Sequence, residues 1–244
     1  MNNNVSSTST PNTDRTLDIF GATGRNGSET LKAILAKPDH PFALRIFVRS
    51  RDKLISMFPR LKTDDVRIIE AQVRVLQDTT KSIVTGLSQL KSDTGGKWKR
   101  PRVILLFSAT WNKRFDAQRS VAVRWLIKNA FYYPYADLLR AHKTLQSEPE
   151  LVKLLLVQPP AIIEEEASGY TISAESVRLA VSYADLGAAF AELVREEAYE
   201  EIGAVGVTSN LAKKGLSRYG FEMLYRLIRG LMASFIPGFW RLMG

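Results

Sequence analysis

Three glycines, Gly21, Gly24 and Gly27, fall in the run IFGATGRNGSETL (19–31), straight after a short apolar stretch and at the start of a helical pattern. Glycine at these points lets the chain turn tightly and lets a phosphate approach the backbone. The helix that follows offers its first N–H groups and the positive end of its dipole. A strand before and a helix after give such a triplet its meaning. Arg25 and Asn26 add a cation and an amide donor inside the loop. The expected ligand is a dinucleotide.

Which dinucleotide is decided one strand later. An NAD site places an acidic residue at the end of the second strand to hold the ribose 2′-hydroxyl. Here that strand ends FVRSRDK, with Arg49, Ser50 and Arg51 where the acid would stand. A guanidinium can grip a 2′-phosphate with two parallel hydrogen bonds. The expected cofactor is NADP.

The elements that must position these residues follow from hydrophobic periodicity. Apolar runs at LDIF (17–20), FALRIFV (42–48), VRIIEAQV (66–73), RVILLFSA (102–109) and LVKLLLVQPP (151–160) alternate with helical-period segments. Among the latter, SETLKAILAK carries Leu31, Ile34 and Leu35 on one face, and DTTKSIVTGLSQL (78–90) turns Ile83, Leu87 and Leu90 inward. AQRSVAVRWLIKNA and PYADLLRAHKTLQ also read as helices, and SDTGGKWKRPR (92–102) reads as an exposed loop. Strand and helix alternating at this spacing predict an α/β fold, a Rossmann-type doubly wound parallel sheet. Beyond Pro160 the pattern changes to SGYTIS, a helix opened by Ser182 with Asp185 at capping-box spacing, and the strand IGAVGVTS (202–209). This part is expected to form a small C-terminal substrate lobe.

The chain has 244 residues, 45% hydrophobic and 24% charged, a composition ordinary for a globular protein. Residues 1–15 are polar and read as a disordered tail, 16–210 as the nucleotide-binding domain with the lobe from about 161, and 211–244 as an amphipathic extension. With no cysteine there is no thiolate nucleophile, and no metal site is expected. No apolar run spans a bilayer and no secretory signal stands at the start, so the cytoplasm is expected. The net charge of +9 is scattered without a nucleic-acid-binding signature, and no nucleic-acid partner is expected.

In order along the chain, GATGRNG, VRSRDKL, FSAT, ADLLRAHKTL, VQPPAI and SYADLGAAFAEL resemble the atypical short-chain dehydrogenase/reductases, the NmrA-like and biliverdin-reductase-B-like branch. The resemblance covers roughly residues 16 to 209 and extends to fungal secondary-metabolism members. It implies that Gly21, Thr23, Gly24, Arg25, Asn26 and Gly27 surround the diphosphate and that Arg49 meets the 2′-phosphate. It places Gln72 and Val73 at the adenine, where the family commonly shows Gly-Asp and this chain reads Ala71-Gln72. Phe107 and Ser108 would lie beside the nicotinamide ribose, and Pro159 and Pro160 would close over the nicotinamide.

The wider superfamily uses Tyr-x-x-x-Lys for proton transfer, and YYPYADLLRAHK lacks it, since Leu139 lies four residues from both Tyr135 and Lys143. The branch's Asp-His pair reads Asp137-Leu138, while a second histidine of that pattern matches His142. The catalytic candidates are Ser108, Thr110, Tyr135, His142 and Lys143. The expected activity is NADP-dependent reduction or dehydrogenation of a small hydrophobic substrate. A non-redox isomerase or cyclase and a nucleotide-sensing regulator stay open beside it. In YGFEMLYRLIRGLMASFIPGFWRLMG (219–244), Phe221, Leu224, Tyr225, Ile228, Leu231, Met232 and Phe235 recur at helical spacing up to a stop at Pro237. That face could pack on the core or roof the pocket, form a homodimer, or make a peripheral membrane contact.

Overall fold

A computed structural model describes residues 15–37, 41–62, 66–70, 76–117, 119–199, 201–210, 216–236 and 239. The chain forms two compact units, Met1–Gln72 and Val73–Gly244.

The first unit runs β1 (Arg15–Phe20), α1 (Arg25–Leu35), β2 (Phe42–Val48), α2 (Arg51–Met57), a 3-10 turn at Pro59–Lys62 and β3 (Val66–Glu70). The strands pair in parallel in the order β1-β2-β3, with Ile19 opposite Ile46 and Ile46 opposite Ile68. Parallel neighbours need a crossover, and α1 supplies it. Leu31 and Ile34 of α1 are fully buried, as are Leu44 and Ile46 of β2 and Leu54 of α2. Along β2 burial alternates, so Phe42, Leu44, Ile46 and Val48 share the inner face. On the other face Arg45 forks onto Asp18, its register partner, at 2.5 and 2.7 Å, and Phe20 stacks on Phe47.

The second unit runs α3 (Leu76–Thr94), β4 (Arg102–Leu106), α4 (Lys113–Asp116), α5 (Val121–Ala130), α6 (Tyr132–Gln146), β5 (Lys153–Val157), β6 (Ala161–Ile163), β7 (Tyr170–Ser173), β8 (Ala180–Ser182), α7 (Tyr183–Arg195), β9 (Ala204–Ser209) and α8 (Leu216–Phe235). Its main sheet is ordered β4-β5-β9-β7, parallel except for the antiparallel β7, and β6 pairs with β8 beside it. Helices cover both faces. Leu155 and Val157 pack with Val205, Val207 and the α7 residues Leu186, Ala189, Phe190 and Leu193. Leu156, between them in sequence, points the other way with Leu105, Phe107 and Leu145 of α6, joined by Leu76 and Val84 of α3. Two-sided burial explains why β9 and β5 read as continuous apolar runs.

Several element boundaries differ from the sequence reading. The helix expected from Ala117 begins at Val121, because the Ser120 hydroxyl caps it by accepting from Val123 N at 3.3 Å. The stretch expected to be a loop from Ser92 stays helical to Thr94 and continues as a 3-10 turn, Gly95–Lys97. Leu90, expected inward, is exposed; Leu76, Thr80 and Val84 turn inward instead, one register further round α3. Gln72 and Val73 lie outside the described residues, as do residues 1–14.

Candidate functional site

At the end of β1 the chain turns at Gly21, whose φ of +75° lies in the left-handed region that side chains disfavour. Gly24 N then donates to Gly21 O at 2.9 Å, and α1 starts at Arg25 with no side chain capping it. The first-turn N–H groups of a helix have no partner within the helix, so an uncapped start presents them outward. At Gly27 a Cβ would fall inside the carbonyl of Gly21, so only glycine lets helix and turn approach this closely. Asn26 Oδ1 is buried and has no hydrogen-bond partner among the described residues. Thr23 is half-buried, and Gly21, Gly24 and Arg25 are exposed. A cradle closed to side chains and an uncapped helix start fit a bound dinucleotide diphosphate.

Arg49 follows the last residue of β2 and is exposed. Because Phe20 and Phe47 are register partners in parallel strands, Arg49 and the Gly21 turn stand at the same edge of the sheet. Ser50 is committed elsewhere, capping α2 by accepting from Lys53 N at 3.2 Å.

In the second unit Ser108 sits just past β4, where Phe107 N and Ala109 N donate to Val157 O and Pro159 O of the neighbouring strand. Ser108 Oγ accepts from Thr110 N at 3.3 Å and lies 3.1 Å from the Tyr135 hydroxyl. Tyr135 is held by rings on two sides, Trp111 edge-on at 5.9 Å and Phe131 at 5.9 Å. The structure therefore brings Ser108 and Tyr135 together, from a strand end and the first turn of α6.

Of the other candidates, Thr110 meets the pair only through its backbone N–H, and neither His142 nor Lys143 has a described hydrogen bond to it. His142 is half-buried against the Phe107 ring at 5.0 Å, and burial lowers its pKa from 6.5. Lys143 is exposed. Thr110 is buried and its hydroxyl accepts from Arg119, which also reaches the buried Asp116 carboxylate at 3.2 Å. Arg124 Nε stands 3.7 Å from Asp116, near enough to attract and too far for a hydrogen bond. Phe107 belongs to the core, Pro159 is buried and Pro160 half-buried.

Sequence reasoning passed over the side chains around the pair. Asn112 Nδ2 donates to Gln158 Oε1 at 2.7 Å, tying the segment after β4 to the end of β5. Lys128 Nζ lies over the Trp111 ring at 4.7 Å. Trp111 and Asn112 directly follow Ser108-Ala109-Thr110, so their place at a strand's carboxyl end was a usable signal. The Asn112–Gln158 link joins residues far apart in the chain and had none.

No family model matches the chain. Among curated proteins it is similar to averufin oxidase A of Aspergillus flavus, 27% identical over 232 residues that span 80% of this chain and 82% of that one. Oxidoreductase ordB of Dothistroma septosporum is 23% identical, spanning 93% of this chain and 94% of that one. Among solved structures, a short-chain dehydrogenase/reductase from Veillonella parvula superposes with a TM-score of 0.58 at 16% identity, covering 81% of this chain and 95% of that one. A Rossmann-fold NAD(P)-binding family protein from Shigella flexneri gives 0.55 at 12% identity over 81% and 94%. The structural likeness shows the fold, an α/β architecture of the Rossmann type. The relatives by sequence are fungal proteins named as oxidoreductases.

Proposed function

We infer that this chain is an NAD(P)-dependent oxidoreductase of the atypical short-chain type, that NADP(H) is its cofactor, and that its substrate is a small hydrophobic organic molecule of fungal specialised metabolism. The observation that carries the reading is the cradle at Gly21–Gly27, with Arg49 at the same sheet edge. The names of the curated relatives support the redox class. In this reading the α1 N–H groups hold the diphosphate and the Arg49 guanidinium holds the 2′-phosphate. A bound nicotinamide supplies or takes up the hydride.

The Ser108–Tyr135 pair then handles the proton. Ser108 Oγ already accepts from Thr110 N, and the two hydroxyls carry two protons between them. Their mutual bond uses one, whichever group donates. The other O–H is left for the substrate oxygen, which gains the proton as the carbonyl becomes an alcohol, or loses it in the reverse direction.

Thermal-shift measurements with NADP(H) and NAD(H), followed by nicotinamide absorbance with averufin and other carbonyl substrates, test this. Nucleotide at ~100 times its Kd stabilises by roughly 2.7 kcal/mol. No shift with either nucleotide overturns the reading. Arg49→Glu is expected to weaken NADPH far more than NADH, and equal losses would remove Arg49 from the 2′-phosphate. Tyr135→Phe is expected to lower kcat about 10²-fold or more while leaving the nucleotide-induced shift in place.

A non-redox isomerase or cyclase on the same scaffold is the second reading, favoured by the missing Tyr-x-x-x-Lys spacing and by Ala71-Gln72 where the family commonly shows Gly-Asp. A thermal shift without turnover on any carbonyl leaves this reading and a nucleotide-sensing regulator standing.

A further inference from the structure

We propose that Lys128 of α5 holds an acidic group of the substrate, a carboxylate or an ionised phenol, while the Ser108–Tyr135 pair meets its carbonyl. The lysine ammonium lies 4.7 Å over the Trp111 ring, within cation–π reach. Trp111 in turn meets the Tyr135 ring edge-on at 5.9 Å, and the Tyr135 hydroxyl lies 3.1 Å from Ser108 Oγ. One indole therefore stands between the cation and the reactive pair. Ser108, Trp111, Lys128 and Tyr135 are all half-buried, so each keeps surface open to a ligand. An ammonium carries three N–H donors, and no described residue accepts a hydrogen bond from Lys128 Nζ or pairs with it as a carboxylate.

The charge along this face of α5 is unbalanced. Arg124, one helical turn before Lys128 and on the same side, shares the buried Asp116 carboxylate with Arg119, at 3.7 and 3.2 Å respectively. Arg119 also donates to Thr110 Oγ1. One carboxylate thus answers two guanidinium groups, and Lys128 adds a further cation against the turn Ala109–Trp111 that Ser108 caps. An oxyanion at Lys128 offsets that excess, whereas a neutral substrate leaves it. Stacking on Trp111 fixes the long lysine side chain beforehand, so less rotamer freedom is lost when the ligand binds. The rings beside the cation, Trp111, Tyr135 and Phe131, suit a flat aromatic body joining the acidic group to the carbonyl. The inference rests on Ser108 and Tyr135 being the proton-handling pair, but the part played by Lys128 is read by binding as well as by turnover.

The probes are para-acetylbenzoate, an aromatic ketone with a carboxylate, and its methyl ester, the same ketone without the charge. Calorimetry on the full chain with NADP⁺, which cannot reduce a ketone, is expected to show the carboxylate binding about tenfold or more tighter than the ester. That preference should fall as salt rises. Lys128→Gln is expected to remove it, and Lys128→Arg to keep most of it, because a guanidinium retains the charge. With NADPH, Lys128→Gln should raise KM for para-acetylbenzoate about tenfold or more with a smaller change in kcat. Equal binding of the two probes, binding of neither, or a preference that survives Lys128→Gln would overturn the proposal. A Lys128-dependent preference without NADPH oxidation would uphold the anion site and remove the redox reading, whereas oxidation with no preference would do the reverse.

Discussion

Asp185 is 1% exposed and has no cation among its described hydrogen-bond partners. Its carboxylate accepts from Ser168 N, Ser168 Oγ and Gly169 N at 3.1 to 3.2 Å and from Ser209 Oγ at 2.5 Å. Hydrogen bonds to a charged acceptor take the place of an ion pair. The sequence marked Asp185 only by its spacing from Ser182, and half of that holds. Asp185 N does donate to the capping Ser182 Oγ at 3.0 Å, but the carboxylate serves the loop before β7 and the end of β9 instead of the cap. Asp185→Ala would leave the buried Ser209 hydroxyl and the partly buried Ser168 and Gly169 donors without this acceptor. We expect a loss of about 3 kcal/mol or more, roughly 6–12 °C in Tm by calorimetry. His142 gives a pH signature. Burial favours its neutral form, so as pH falls past 6.5 the unfolded chain takes up the proton first and stability declines. His142→Leu is expected to flatten the stability curve just below that pH, and an unchanged slope in denaturant titrations would show that other groups set it.

Between elements, two glycines bring backbone closest to backbone. Gly27 lets α1 start against the Gly21 turn, so Gly27→Ala must push helix and loop apart. The expected result is loss of the nucleotide-induced thermal shift, a larger effect than the cost of overpacking alone, about 1–3 kcal/mol. Gly230→Ala should show the overpacking cost by itself, as a lower Tm with nucleotide affinity intact. The first of these contacts was legible, because strand, glycine triplet and helix lie together in the chain. The second was not. Nothing local to Gly230 announces Ala130, and the same is true of the meeting of Ser108 with Tyr135. The periodicity of α8 predicts an apolar face, of which Leu231 is half-buried and the other residues exposed, yet periodicity reports only that a face is apolar, not what covers it. Leu90 failed for a related reason: the end of α3 extends past the neighbours that bury Val84, and no local pattern records where packing stops.

At the scale of the whole chain, the alternation of apolar runs and helical periods was enough to predict an α/β fold, since it depends on local period and short connections. The division into Met1–Gln72 and Val73–Gly244 had no compositional marker, because both units use the same vocabulary of parallel strands and amphipathic helices. The order in which these parts are made also matters. Ser234 fastens to Asn129, 105 residues earlier. At synthesis rates of about 5–20 residues per second, the α5 surface that α8 covers waits roughly 5–20 s on the ribosome for its cover. Translation that stops short of residue 216 is thus expected to yield chains that sediment as aggregates, and faster elongation through the last hundred codons should raise the soluble yield. The contact of two helices becomes a timing constraint on how the protein can be produced.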